Sequence, residues 1–294
     1  MLAPKRHRVA LLLVGEPDGA AELRRHLVVA GRVREVEEVY LAPDAARRGS
    51  DPLGVREALA GTAADAAIVV ATSRWGARRL LPAPVVDGVP VGIVQEGHGP
   101  VCEVDPPDPS APWVVAAMAK NDFLEPTAHW ARSLRFGGRD AVDLRADRAR
   151  RSDLVEALAS GPGVVLYAGH GRTIGWSGYQ GLRRRHLEPG RAAGLVVAFA
   201  CDTLKRARSR VPFGSQIVGA GLARAYLGAV GSVRTADVSD LAEVVVFLLA
   251  HERPRTVAEL MLEVEHTVAD LPAARRAWAQ FRLVGDPTTP LGAA

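Results

Sequence analysis

Short apolar runs alternate along the chain with segments in which apolar residues recur at helical spacing. Runs such as Arg8–Val14, Val164–Ala168 and Leu195–Ala200 are almost wholly apolar, which is typical of strands buried on both faces of a parallel sheet. Between two such runs, Ala20–Ala30 places Leu23, Leu27 and Val28 on one helical stripe. The alternation predicts an α/β fold in which a parallel-dominated sheet carries helices on both faces.

The same patterns predict the positions of the individual elements. The predicted strands are Arg8–Val14, Val36–Leu41, Ala66–Ala71, Val89–Gln95, Trp113–Ala119, Ala141–Leu144, Val164–Ala168, Leu195–Ala200 and Ala229–Val233. The predicted helices are Ala20–Ala30, Gly54–Ala60, Pro126–Leu134, Ser152–Ala159, Ser215–Leu227, Leu241–Ala250 and Thr256–Ala269. Pro126 is expected in the first turn of its helix and Ser152 at the cap of the next.

A proline-rich segment divides the chain into two predicted domains. Glu103–Pro112 holds four prolines, and proline at that density stops both helices and central strands. We therefore predict a smaller Rossmann- or flavodoxin-like domain over residues 1–105 and a second α/β domain over residues 106–294. The turn Gly15-Glu16-Pro17 lacks the glycine pattern of a dinucleotide site, so the sequence predicts no ligand for the first domain.

Composition narrows the class of protein. Of the 294 residues, 48% are hydrophobic, which excludes wholesale disorder. The net charge is only +4 and we find no docking motif, so nucleic acid is not an expected partner. The apolar run after Lys5 is too short for a membrane span or a convincing signal peptide. Two cysteines give no disulfide framework, and we expect a reducing, cytoplasmic compartment.

The candidate chemistry lies where two predicted strands end. His170 follows Val164–Ala168, and Cys201 directly follows Leu195–Ala200. Ligands of open parallel sheets bind at the carboxyl ends of the strands, and if these strands are neighbours the imidazole and the thiol share one crevice. A thiol beside a histidine is the minimum for nucleophilic catalysis, and the amide of Gly171 is placed to stabilise an oxyanion.

Simpler interpretations of these residues stay open. A cysteine after an apolar strand is often an inert buried thiol, and His170 can be an ordinary loop residue. Trp176 is expected to line a substrate groove or to pack down with its loop. His98 and Cys102 resemble a second His–Cys dyad, but no following strand positions them at a sheet edge. We expect Asp286 to hold a turn, and no His, Cys or Asp cluster has zinc spacing.

Four segments together resemble the caspase-like cysteine peptidases, the CHAT and gingipain branches in particular. They are VVLYAGHG (164–171), VVAFACDT (196–203), GLARAYLGAVGSV (221–233) and FRLVGDP (281–287). The resemblance covers roughly residues 113–290. It implies a dyad of His170 as general acid and base and Cys201 as nucleophile, with an oxyanion held by the backbone N–H groups of Gly171 and Cys201. It also implies that residues 1–100 match the N-terminal Rossmann-like subdomain of gingipains.

One departure concerns substrate recognition. Metacaspases place an acidic residue two positions before the cysteine, where this chain has Phe199, so a preference for basic substrates is not inherited. Other carboxylates are candidates for binding a basic side chain, and we expect Asp240 and Asp122 to face the rim of the crevice. The full set of candidates is Asp122, Asp202, Asp237 and Asp240.

Two functions are compatible with the sequence. The first is a cysteine endopeptidase that cleaves protein or peptide substrates through an acyl-enzyme and needs no metal or organic cofactor. The second is a catalytically inactive scaffold or adaptor with a regulatory protein partner. A weaker third hypothesis makes the N-terminal domain a small-molecule sensor. The basic run Lys205–Arg210 is a solvated loop, a self-processing site or a pocket for acidic side chains.

Overall fold

A computed structural model describes residues 7–14, 20–29, 33–41, 54–71, 82–95, 107–206 and 210–292. The predicted boundary between residues 105 and 106, the Gly15-Glu16-Pro17 turn, and the His98 and Cys102 pair lie outside the described residues. Within them, no helix has the length and apolar character needed to cross a bilayer.

The strands agree closely with the apolar runs. They are β1 (His7–Val14), β2 (Val33–Leu41), β3 (Ala66–Ala71), β4 (Val85–Val86), β5 (Val89–Gln95), β6 (Trp113–Ala117), β7 (Ala141–Arg145), β8 (Val164–Ala168), β9 (Gly171–Arg172), β10 (Gly175–Trp176), β11 (Ala193–Phe199), β12 (Ala223–Ala229) and β13 (Phe281–Gly285).

The helices lie between the strands and along both faces of the sheet. They are α1 (Ala20–Val29), α2 (Val55–Ala60), α3 (Asn121–Phe136), α4 (Arg151–Ala159), α5 (Phe213–Gly219), α6 (Thr235–Phe247), α7 (Val257–Val268) and α8 (Pro272–Trp278). A π-helical turn over Leu248–Glu252 extends α6.

Strands from both halves of the chain join in one eleven-stranded sheet in the order β2-β1-β3-β5-β13-β12-β11-β8-β6-β7, with β4 beside β5. Pairing is parallel except for β12–β13 and β4–β5. The predicted mixed α/β architecture with a parallel-dominated sheet is therefore confirmed. The division into two domains stays a prediction, and strands from both sides of the predicted boundary share this sheet.

The apolar runs are explained by burial on both sides of the sheet. In β11, Leu195, Val197 and Phe199 enter the core that packs against α3, α6, α7 and α8. Val196 and Ala198 of the same strand enter the opposite core, which includes residues of α2, α4 and α5. Because successive side chains point to opposite faces, a strand with two covered faces needs an apolar residue at every position.

Several predicted boundaries are wrong. The strand predicted over Ala229–Val233 is replaced by β12, and the helix predicted from Leu241 begins at Thr235 as α6. Helix α3 begins at Asn121, so Pro126 lies inside it and not in its first turn. Helix α4 begins at Arg151, and the carboxylate of Asp153 accepts the N–H of Arg150 at 2.7 Å, so Ser152 is not the cap. The predicted helix Ser215–Leu227 ends as α5 at Gly219, because Gly221 adopts a left-handed φ of 67°.

The C-terminal strand β13 lies between the two halves of the sheet. It pairs antiparallel with β12 and, through Val284 opposite Ile93, parallel with β5. Asp286 follows the strand, and its Oδ1 accepts the backbone N–H and the hydroxyl of Thr288 at 2.8 and 2.7 Å. The prediction that Asp286 holds a turn is confirmed.

Candidate active site

Strands β8 and β11 bring His170 and Cys201 to the same edge of the sheet. The two strands are parallel neighbours, with Ala168 opposite Phe199. His170 and Cys201 each follow these paired residues by two positions. The condition set by the sequence analysis, that the two strands are neighbours, is therefore met, and both side chains belong to loops at the carboxyl ends of adjacent strands.

The loops that carry the two residues are in contact through Gly171. A Cβ at this position would overlap the carbonyl oxygen of Cys201 and lie 2.8 Å from Cγ2 of Thr203 and 2.9 Å from Cβ of Ala200. A larger residue cannot be accommodated unless the two loops separate. Glycine therefore sets how closely the His170 loop approaches the nucleophile loop.

The His170 loop is fixed by its backbone, whereas its ring is exposed. The carbonyl oxygen of His170 accepts the N–H of Ser177 at 2.8 Å and the hydroxyl of Tyr167 at 3.1 Å. The imidazole packs edge to face on Phe123, with ring centroids 5.3 Å apart. Its Nε2 lies 3.3 Å from Nζ of Lys120.

Lys120 is a site residue that the sequence reasoning missed. It follows β6, the strand on the other side of β8, so it stands at the same sheet edge as His170. The signal was present: a basic residue shortly after a buried strand, like His170 itself. The sequence alone did not order β6 next to β8.

The Cys201 thiol is half-buried and bound to one backbone residue. Its Sγ accepts the N–H of Val233 at 3.4 Å and lies 3.5 Å from the carbonyl oxygen of Val233. Among the described residues, no hydrogen bond joins this thiol to His170. A shared proton therefore requires a side-chain rotation, as is common before substrate binds.

The residue after the nucleophile stabilises a sharp turn. Asp202 has a left-handed φ of 61° and its N–H donates to the carbonyl of Gly231 at 3.1 Å. Its Oδ1 lies 3.3 Å from Nζ of Lys205. The carboxylate is thus occupied by a neighbour along the chain. In the described part of the structure, the backbone N–H of Cys201 has no acceptor, which leaves it available to an oxyanion.

The other candidate carboxylates have different surroundings. Asp122 is exposed near the start of α3 and lines a small cleft of about 10 Å³. Asp237 is instead paired with Arg276, whose NH2 and Nε donate at 2.8 and 3.2 Å. These hydrogen bonds hold the pKa of Asp237 below its usual value. Asp240 is exposed on α6 and contributes to the raised pKa of Arg276. The other residues that line the cleft are Phe123, Pro126, Trp130, Ala168, Phe199, Val238, Ser239 and Ala242.

The prediction that Trp176 lines a substrate groove is wrong. Its side chain has no exposed area and stacks on Tyr167 at a centroid distance of 4.1 Å. Its indole N–H donates to the hydroxyl of Tyr226 at 3.2 Å. The short hairpin β9–β10 turns this side chain into the core, because a buried partner for the N–H is available there.

In the described ranges, no group of three or more His, Cys, Asp or Glu side chains is placed to hold a metal ion.

Comparisons with known proteins identify a family and similar folds. Residues 117–292 match peptidase family C25. The structure is similar to the crystal structure of the Arg specific cysteine proteinase gingipain R, with a TM-score of 0.75 and 11% identity over 98% of this chain and 80% of that chain. It is also similar to the complex of the Porphyromonas gingivalis RgpB pro- and mature domains, with a TM-score of 0.69 and 12% identity over 95% and 79%.

A more distant similarity is to the Saccharomyces cerevisiae separase–securin complex, with a TM-score of 0.51 and 10% identity over 79% of this chain and 16% of that chain. No curated protein matches. At these identities the solved structures show the fold, whereas the family match spans more than half of the chain and includes both His170 and Cys201. The chain therefore belongs to peptidase family C25, the gingipain family of caspase-like cysteine peptidases.

Proposed function

We propose that the protein is a cysteine endopeptidase in which His170 and Cys201 form the catalytic dyad. The observation that carries the proposal is the register of β8 and β11, which places both residues two positions beyond the paired residues Ala168 and Phe199. Contact of the two loops at Gly171 supports it further. Protein or peptide substrates follow from the peptidase family.

The reaction is acyl transfer. His170 removes the proton of the Cys201 thiol, and the resulting thiolate attacks the scissile carbonyl carbon. The backbone N–H groups of Cys201 and Gly171 stabilise the oxyanion, a contribution of about 3–4 kcal/mol for each donor. His170 protonates the leaving amine and then activates the water that releases the acyl group. The ammonium of Lys120 keeps the ring oriented at this edge until substrate enters.

We further propose that Asp122 binds a basic substrate side chain beside the scissile bond. Its carboxylate is exposed and, in the described structure, has no ion-pair partner, whereas Asp237 is committed to Arg276 and Asp202 to Lys205. Gingipain R is an Arg specific cysteine proteinase, which is compatible with a carboxylate in this role.

The experiment is an unbiased peptide-library digest read by mass spectrometry. The wild-type protein is expected to cleave after arginine or lysine, and Cys201→Ala is expected to cleave nothing. Cys102→Ala is the matched control, because it removes the other cysteine and is expected to keep full activity. Retained cleavage by Cys201→Ala would refute the dyad.

Asp122→Asn tests the recognition step separately. Loss of a charge-assisted contact is expected to reduce kcat/KM for basic peptides by about tenfold or more. Asp240→Asn, which neutralises another exposed carboxylate, is the control and is expected to stay within about twofold. An equal effect of both variants would contradict a specific role for Asp122.

One observation favours the alternative, an inactive scaffold. The imidazole of His170 contacts Lys120, and the thiol of Cys201 contacts the backbone of Val233. Among the described residues, no hydrogen bond joins the imidazole to the thiol. A scaffold would cleave no member of the library, and a thiol-reactive peptide probe would not label Cys201 faster than it labels Cys102. Preferential labelling of Cys201 decides for the peptidase.

A further inference from the structure

A wide groove opens at the same sheet edge as the dyad, on the side of β6 and β7. It has a volume of about 1110 Å³, which exceeds the usual range for small-molecule pockets and suits several residues of a polypeptide. Its walls are the end of β6, the first turns of α4, and the segment 177–188 after the β9–β10 hairpin. None of these residues takes part in the proposed chemistry.

The rim of the groove is basic. Arg150, Arg151 and Arg185 line it together with His186. In the described structure, none of the three arginines has a carboxylate within ion-pair distance. The pKa of His186 is lowered by burial and then by the positive charges of Arg151 and Arg185, so the positive charges converge on this rim.

The floor of the groove consists of small and apolar side chains. It includes Met118, Ala119, Ala146, Ala149 and Val155, which leave space for the side chains of a bound chain. Two carboxylates, Glu156 and Glu188, also line the groove. This mixed lining disfavours a uniform polyanion such as a nucleic acid. It favours a peptide whose acidic residues are separated by apolar ones.

The groove is joined to the dyad by backbone on two sides. Met118 and Ala119 directly precede Lys120, whose ammonium contacts His170. On the other side, Ser177 lines the groove and donates its N–H to the carbonyl of His170 at 2.8 Å. Because β8 and β6 follow β11 in the sheet, a substrate with its scissile bond at Cys201 can extend past their ends into the groove.

We propose that this groove binds an acidic stretch of the polypeptide substrate on one side of the scissile bond, with Arg151 and Arg185 pairing its carboxylates. The inference rests on the proposed peptidase function for its biological role. The binding itself does not depend on cleavage, so the two are tested apart. Arginine suits this task because its planar guanidinium binds carboxylates through two parallel hydrogen bonds.

Binding is measured with the Cys201→Ala protein and a fluorescein-labelled peptide in which glutamates are separated by apolar residues. The control peptide has glutamine in place of each glutamate. Fluorescence anisotropy is expected to show tighter binding of the glutamate peptide, weakening as salt is added. Arg151→Glu/Arg185→Glu is expected to weaken binding by about tenfold or more, since each pair is a charge-assisted contact.

The control variant is Arg132→Glu/Arg275→Glu, which makes the same change in net charge at exposed positions outside the groove. It is expected to change the affinity by no more than about twofold. Arg185→Gln serves as a milder second variant if the double reversal does not fold. Three results would overturn the proposal. The groove and control variants could lose equal affinity, both peptides could bind equally well, or a single-stranded DNA of equal charge could bind more tightly than the acidic peptide.

Cleavage gives the second readout. A cleavable peptide is extended with glutamates at its N-terminal or its C-terminal end. Only one extension is expected to lower KM in the wild type, and the groove reversal should abolish that gain with kcat little changed. If the wild type cleaves nothing while Cys201→Ala still binds the acidic peptide, the peptidase proposal fails and the groove proposal stands. A gain from both extensions, or from neither, contradicts the groove.

Discussion

Replacing Gly171 with alanine tests whether contact between the two loops positions the dyad. The added methyl group would overlap the carbonyl oxygen of Cys201 and lie 2.8 Å from Thr203 Cγ2. Carbon atoms pack at about 3.5–4.0 Å, so the loops must separate by about 1 Å. Such overpacking costs about 1–3 kcal/mol of unfolding free energy. A displacement of 1 Å at reacting groups lowers the rate by about a hundredfold.

Two measurements follow from this geometry. The free energy of unfolding comes from urea titration, and kcat/KM comes from a peptide selected by the library digest. Gly231→Ala is the control at the same edge, because a Cβ there meets only the end of the Gln280 side chain, at 3.1 Å, which can swing aside. We expect the control to keep its kcat/KM within about twofold. If Gly171→Ala keeps both the stability and the kcat/KM of the wild type, the two loops do not position each other.

Three further predictions concern stability. Trp176→Phe removes the indole N–H that donates to the buried Tyr226 hydroxyl, and we expect a loss of about 0.5–1.5 kcal/mol in urea unfolding. Asp237 has its pKa lowered below 3.8 by Arg276, so its ionised form stabilises the fold at neutral pH. Asp237→Asn should therefore lower the urea midpoint at pH 7, and the deficit should vanish as the pH falls below 3.8. Thr256→Ala removes the cap of α7 and should cost about 1 kcal/mol, and an unchanged midpoint would contradict the cap.

The sequence predicted the part of the site that depends on local pattern. The continuous apolar runs at β8 and β11 identify central strands. Because parallel strands end at the same edge of a sheet, the sequence alone places His170 and Cys201 at one edge. The same logic placed Asp122 near the edge, after β6. In each case a period-two or continuous apolar signal is followed by a polar residue.

The remaining features depend on long-range packing that no local pattern encodes. Residues 223–229 are compatible with helix or strand, and the left-handed Gly221 decides for a strand. From its sequence position, Trp176 can line a groove or pack into the core. It packs into the core because Tyr167 stacks on its ring and the Tyr226 hydroxyl accepts its indole N–H. The contact of Lys120 with His170 follows from the strand order, in which β6 and β11 flank β8.

The position of β13 has a consequence for biosynthesis. Strands β1–β5 and β6–β12 can each assemble as they leave the ribosome. Strand β13, which pairs with both groups, is synthesised after them. Until then β5 and β12 present open edges to the solvent, with N–H and C=O groups that any extended chain can pair with. We therefore expect a nascent or truncated chain that ends before Phe281 to aggregate readily. The risk of aggregation is greatest between the synthesis of β12 and the synthesis of β13.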